Sequence, residues 1–269
     1  MIPAAFTYER ARSVEEAIEL LGRDDDAKVL AGGHSLIPAM KLRIARPTVL
    51  VDIGRLDDLR YVREEGDRIA IGALTRHAAL VRDPVLAAGC ALIAQATELV
   101  GDPQIRHRGT LGGSLAHADP ASDLGAVVLA LDAELVANGP DGERTIAATE
   151  FFTGPFTNAL GPQELLTEIR VPVIERGVYL KYQRSARDWA TVGVAAAEVG
   201  GRVQVALASM GPTTLRASAV EEALAGGSSA ADAAARAAEG AEPPTDVSAS
   251  SEYRAHLARV LVRRALEQL

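Results

Sequence analysis

Thr110-Leu111-Gly112-Gly113-Ser114-Leu115-Ala116-His117-Ala118-Asp119-Pro120-Ala121-Ser122-Asp123 is the stretch from which the rest of the chain can be read. Adjacent glycines, two serines, a threonine and two aspartates lead into the apolar segment 124–131, the pattern of a loop feeding a helix. Pro120 suits the first helical position, where its missing N–H is unpaired in any case. Asp119 is then the N-cap and Asp123 lies one turn in. Such a loop offers backbone N–H groups and hydroxyls beside the positive end of a helix, as a phosphate or pyrophosphate requires. Asp123 cannot hold phosphate, but it can accept hydrogen bonds from sugar hydroxyls. The reading is a nucleotide cradle.

Upstream, a second passage has the same order. Residues 28–31 form a short apolar run that reads as a buried strand, Gly32-Gly33-His34-Ser35 follows, and apolar residues recur at helical spacing from Leu36 onward. The chain holds four Gly-Gly pairs, at 32-33, 112-113, 200-201 and 226-227, against about two expected by chance at this glycine content. The first two are each followed at once, or one residue later, by serine and then by a helix-like segment, as is 226-227, the turn between the helices expected at 218–224 and 230–240. Tight turns that need unusual backbone angles explain paired glycines equally well. Neither the dinucleotide fingerprint G-x-G-x-x-G nor the P-loop motif is present, which excludes a standard Rossmann or P-loop site.

The 269 residues, 48% hydrophobic and 24% charged, describe an ordinary globular protein with an ample core. A net charge of −8 argues against nucleic acid as a partner. No run of about 18 apolar residues is present, so no transmembrane segment is expected. The first residues lack a basic segment followed by an apolar one, so no secretory signal is read and the cytoplasm is the expected location. The single cysteine, Cys90, excludes an intrachain disulfide and an iron–sulfur cluster held by this chain's own thiolates. The five histidines, at 34, 77, 107, 117 and 256, lack compact zinc-ligand spacing. His107, His117 and Asp119 are read as loop residues near a polar site, and no metal is assigned.

The remaining pattern is mixed. Residues 7–22 read as a helix entry and a helix, with Ser13 and Glu16 as a capping box. Strands are expected at 49–53 and 69–73, helices at 76–81 and 85–100, and a polar, basic loop at 104–108. Strands at 133–137, 144–147 and 165–171 follow, with a hairpin at 138–142. Three more strands, 177–183, 192–199 and 203–209, precede helices at 218–224, 230–240 and 252–269, the last two separated by the linker 242–246. The fold class is α+β.

The segments Ala31-Gly32-Gly33-His34-Ser35-Leu36, Asp102-Pro103-Gln104-Ile105-Arg106, Thr110-Leu111-Gly112-Gly113-Ser114, Asp119-Pro120 and Asp123 together resemble the FAD-binding (medium) subunits of molybdenum hydroxylases. The likeness runs nearly the whole length, to Tyr253-Arg254 and Arg263-Arg264-Ala265-Leu266. Within the family, the aerobic carbon monoxide dehydrogenase branch is the one it resembles most. The resemblance implies a two-part FAD-binding domain of the vanillyl-alcohol-oxidase-like (PCMH) type at 1–174, with subdomains of about 1–55 and 56–174. A C-terminal domain at 175–269, a three-stranded antiparallel sheet and a three-helix bundle, completes it. By the same resemblance Ala31, Gly32, Gly33, His34, Ser35 and Leu36, with Thr110, Gly112, Gly113 and Ser114, bind the FAD pyrophosphate. Asp123 holds ribose hydroxyls, Leu166 packs on the adenosine end, Lys181 lies near the flavin, and Ile105 belongs to the same site. Trp189 falls beside the isoalloxazine, although an ordinary buried tryptophan fits the pattern as well. Many relatives carry asparagine where this chain has Ser114, which weakens that one assignment.

The implied role is electron transfer. A large partner subunit carries the molybdenum cofactor, a small one carries [2Fe–2S] clusters, and this chain passes electrons through FAD to an external acceptor such as a quinone. No side chain of this chain is assigned a catalytic role. The implied assembly is a dimer of heterotrimers, cytoplasmic and peripheral to the inner face of the membrane. The alternatives are a free-standing FAD-dependent oxidase or reductase, a flavin subunit of a related hydroxylase acting on an N-heterocycle or an aldehyde, and a module that binds a nucleotide as a structural ligand.

Overall fold

The computed structural model describes residues 2–269. The first unit runs β1 (Thr7–Arg10), α1 (Val14–Leu21), β2 (Lys28–Leu30), α2 (Leu36–Lys41) and β3 (Val49–Asp52), with a parallel sheet in the order β1-β3-β2. The Ser13 side chain caps α1 by accepting from the Glu16 N–H, and the helix buries Ala17, Leu20 and Leu21. Thr7–Arg10 is a strand, not a helix entry. Its four residues are all exposed, so no alternation of apolar and polar side chains marks it, and only pairing with β3 reveals it.

The second unit contains β4 (Val62–Glu65), β5 (Arg68–Gly72), α3 (His77–Leu80), α4 (Pro84–Gly89), α5 (Ala91–Glu98), α6 (Pro103–Arg106), α7 (Leu111–His117) and α8 (Asp123–Ala130). It continues through β6 (Glu134–Gly139), β7 (Gly142–Ala147), α9 (Ala148–Phe151), β8 (Phe152–Gly154), β9 (Thr157–Asn158) and β10 (Leu165–Pro172). The five-stranded sheet has the order β4-β5-β10-β6-β7 and is antiparallel throughout. The expected single helix 85–100 is two helices. Cys90 leaves the helical region at φ −159°, ψ 65°, and the tight approach of Gly89 to Ile69, 2.9 Å from a Cβ built there, holds the corner.

The third unit is a sheet β11 (Gly177–Tyr182), β12 (Val192–Val199), β13 (Arg202–Ala208) and β14 (Leu215–Arg216), followed by α10 (Ser218–Ala225), α11 (Ala230–Ala235) and α12 (Ser251–Leu266). The sheet is antiparallel as read, but has four strands instead of three, because a two-residue edge strand is too short to show a period. Both faces of β12 and β13 are buried. Val194, Ala196, Val205 and Leu207 face the helices, while Ala195, Ala197, Ala206 and Ala208 belong to the core shared with α8. The alanine face lets α8, buried along its whole length, lie directly on the sheet. That contact sets the first turn of α8 against β11.

Candidate functional site

The loop between β2 and α2 is built as a cradle. Gly33 sits at φ +80°, a left-handed position natural to glycine, and Ser35 lies in the right-handed region. In this winding the N–H groups of Gly32, Gly33, His34 and Ser35 find no acceptor among the described residues. Consecutive unpaired N–H groups in alternating conformation form a concavity for an anion. A Cβ at Gly32 would lie 2.4 Å from the Arg108 carbonyl oxygen and 3.0 Å from Gly109 Cα, so the loop packs on the segment leading to Thr110.

The second glycine pair is arranged differently from the sequence reading. Thr110 caps α7, which already begins at Leu111, and Thr110 Oγ1 accepts from the Gly113 N–H at 3.1 Å. The N–H groups of Leu111, Gly112 and Ser114 donate to the carbonyls of Thr75, Ala73 and Thr110. None of these is free. The glycines serve close packing, since a Cβ at Gly112 would sit 2.5 Å from Ala73 Cβ and one at Gly113 2.7 Å from Thr110 Oγ1. What this stretch turns toward the first loop is a smooth surface, with Ala31 Cβ 3.8 Å from the Gly113 position, and nearby the Ser114 hydroxyl, 3.4 Å from that of Ser122. The N-cap of α8 is Ser122, not Asp119. Ser122 Oγ accepts from the Gly125 N–H, Asp119 accepts from the Ala121 N–H, and Asp123 is the first helical residue.

Asp123 and Lys181, distant in sequence, meet at the contact of α8 with β11. Lys181 Nζ lies 2.9 Å from Asp123 Oδ2 and 3.1 Å from the Leu99 carbonyl oxygen, and the Tyr179 hydroxyl donates to Asp123 Oδ1. All three side chains are buried. Burial pushes the Asp123 carboxyl above its ordinary range, and the Lys181 ammonium pulls it back. Tyr179, buried against that carboxylate, is held well above the usual phenol range. Leu166 is packed in the central core at a bulge of β10. Ile105 is half-buried on α6, a helix where a loop was expected, started by Pro103 and capped by Asp102.

Trp189 is 56% exposed, so the buried-tryptophan alternative does not hold. It lines a cavity of about 600 Å³ between the second and third units, together with Asp119, Phe156, Ser209, Asp246 and Arg254. Two of the five non-glycine residues with positive φ among the described residues, Phe156 and Ser209, line this space, and a third, Ala118, directly precedes the lining residue Asp119. They are held there by main-chain bonds, from the Phe156 N–H to the Ala118 carbonyl and from the Ser209 N–H to the Pro120 carbonyl. Strained backbone of this kind collects where a site over-determines it. Arg254 closes the floor, donating to the Thr191 carbonyl and to both oxygens of Asp246, with a buried Nε that has no partner. No local pattern links Tyr179, Phe156, Ser209 or Arg254 to either glycine loop, so the sequence does not mark them as site residues, although Arg254 lies in a segment that carries the family likeness. His117 and Asp119 lie 4.0 Å apart, and no group of three metal-ligating side chains occurs among the described residues.

Comparison with known proteins gives this geometry its context. Residues 4–174 match the family model described as the FAD binding domain in molybdopterin dehydrogenase, and residues 177–269 match the CO dehydrogenase flavoprotein C-terminal domain. The chain is similar to the carbon monoxide dehydrogenase medium chain of Hydrogenophaga pseudoflava, 41% identical over 99% of this chain and 97% of that one. It is 36% identical to the glyceraldehyde dehydrogenase medium chain of Sulfolobus acidocaldarius over the full length of both. A solved structure of carbon monoxide dehydrogenase from Hydrogenophaga pseudoflava, in a form lacking the Mo-pyranopterin moiety of its cofactor, superimposes with a TM-score of 0.96 at 42% identity, covering 100% of this chain and 98% of that one. The chain belongs to the family of FAD-binding medium subunits of molybdenum hydroxylases.

Proposed function

We propose that this chain is the electron-transfer flavin subunit of an aerobic carbon monoxide dehydrogenase. It receives electrons from [2Fe–2S] clusters of a small partner subunit, while a large partner subunit oxidises the substrate at its molybdenum cofactor, and it delivers them to an external acceptor such as a quinone. The observation that carries the flavin site is the run of unpaired N–H groups from Gly32 to Ser35, a donor set suited to a diphosphate. FAD, when bound, supplies the redox chemistry. The protein's residues bind and orient. Ala31 to Leu36 grip the diphosphate, Thr110, Gly112 and Gly113 hold the opposite wall close, and Ser114 offers a hydroxyl. Asp123 and Lys181 form the polar anchor at the junction of the units, Ile105 and Leu166 supply apolar contact, and Trp189 flanks the cavity where a planar ring has room.

The division into 1–174, with parts of about 1–55 and 56–174, and 175–269 is supported by the two family matches and by a separate sheet in each part, while the largest core runs across the boundary at 174–175. The carbon monoxide assignment rests on the 41% identity to the Hydrogenophaga chain, and the 36% identity to the glyceraldehyde dehydrogenase chain keeps an aldehyde as the second reading. The lone, buried Cys90 leaves the iron–sulfur clusters to a partner. No helix among the described residues is long and apolar enough to cross a membrane, and we place the complex in the cytoplasm, peripheral to the inner membrane face, as a dimer of heterotrimers. The test is anaerobic exposure of the complex purified through this chain to carbon monoxide and, separately, to glyceraldehyde. Bleaching of the flavin absorbance by carbon monoxide alone supports the assignment, and bleaching by the aldehyde alone replaces it with the second reading.

A further inference from the structure

The N–H groups of the first glycine loop are neutral donors, and they leave the charge of a diphosphate uncompensated in a chain whose net charge is −8. Three guanidinium groups stand around that loop. Arg76 Nη1 donates to the Arg108 carbonyl oxygen, the same atom that lies 2.4 Å from a Cβ built on Gly32. Arg60 Nη2 donates to the carbonyl of Gly54, a residue that packs beside the Ala31 carbonyl. Arg108, on the segment on which the loop rests, is exposed and close enough to repel Arg76. Among the described residues, Arg60 alone of the three is in an ion pair, with Asp57. Asp52, the other carboxylate nearby, is already engaged by the Gly54 N–H at 2.7 Å and by the Tyr8 hydroxyl. Arg76 is half-buried, and burial together with repulsion from Arg60 and Arg108 draws its pKa down. A half-buried Arg76 beside two like charges, offset only in part by Asp52, is costly, and an anion seated against it lowers that cost.

We propose that Arg76, flanked by Arg108 and Arg60, is a positioning residue that supplies the counter-charge to the FAD diphosphate seated on Gly32 to Ser35. The inference rests on the flavin site described under the proposed function. It assigns to these arginines a part in selecting a diphosphate-bearing flavin over one without phosphate. Loss of the Arg76 charge corresponds to a fall in affinity on the order of ten- to a hundred-fold.

The test titrates the full apo chain with FAD and with riboflavin, following flavin fluorescence at low and high salt, for the wild type, Arg76→Gln, Arg76→Lys and Arg108→Ala. Arg76→Gln retains a donor for the Arg108 carbonyl while removing the charge, and Arg108→Ala leaves that carbonyl in place. The expected result is FAD affinity reduced on the order of tenfold or more in Arg76→Gln, largely restored in Arg76→Lys, and reduced in Arg108→Ala. The salt dependence of FAD binding should be flatter in both charge-removing variants, and riboflavin binding should be equal in all four proteins. Wild-type FAD affinity and salt dependence in Arg76→Gln overturn the proposal alone. A wild-type chain that binds no FAD overturns the flavin site itself, and this inference with it.

Discussion

His77 is 3% exposed beneath Gly109, and its buried Nδ1 has no hydrogen-bond partner. Burial, with Arg106, Arg76 and His34 adding to it, lowers its pKa from the ordinary 6.5 to about 4. The unfolded chain therefore binds the extra proton between these values. Stability is complete above pH 6.5 and falls as the pH drops toward 4, by up to ~3 kcal/mol. Replacing His77 with Gln should flatten the stability profile across this window in urea denaturation, and an unchanged slope would assign the acid sensitivity elsewhere. At the junction of the units, Asp123→Asn leaves Lys181 buried without its counter-charge and should cost about 3–5 kcal/mol. The double variant Asp123→Asn, Lys181→Met should lose less than the sum of the two single changes, as a denaturation cycle will read. The two glycine loops should part company in mutagenesis. Gly112→Ala forces a Cβ against Ala73 and lowers the melting temperature. Gly33→Ala strains a left-handed position next to the free N–H groups and should reduce FAD content at a smaller loss of fold.

At the level of the element, most of what periodicity marks folds as read, with the helix expected at 85–100, broken at Cys90, as an exception. The strands 192–199 and 165–171 and the hairpin at Gly200-Gly201, both glycines with positive φ, carry their own pattern or turn chemistry. β1 and β14 carry neither, because their strand character comes from the partner they pair with. The organising stretch shows the same limit. Its polar residues were recognised, yet Thr110 and Ser122, each followed by a helix, outcompete Asp119 as caps because their hydroxyls reach the N–H three residues on. The residues of the first cradle were legible, but that its N–H groups are unpaired, while those of the second are consumed, depends on Ala73 and Thr75 from a remote turn. Ser122→Ala should destabilise α8 by about 1 kcal/mol. A thermal scan showing no shift would mean that the buried apolar length of the helix suffices without its cap.

In the whole molecule, the third unit sits on the second through an alanine-faced sheet, and this contact brings Lys181 and Tyr179 to Asp123 and Trp189 to the cavity. No spacing along the chain announces such a meeting: Asp123 is legible locally, one turn into the loop–helix stretch, whereas Lys181 is marked only by the family resemblance. Under the proposed function, a chain with a run of unpaired N–H groups at Gly32 to Ser35 and a single buried cysteine depends on partners for both the source of its electrons and the clusters that carry them. The measurement that tests this most directly is a native pull-down through a tag on this chain, with the accompanying proteins identified by mass spectrometry and the flavin quantified. The account predicts a large molybdenum-cofactor subunit and a small cysteine-rich subunit in equal amounts with one FAD per copy of this chain. A chain that emerges alone and yellow would contradict it in favour of a free-standing flavoenzyme.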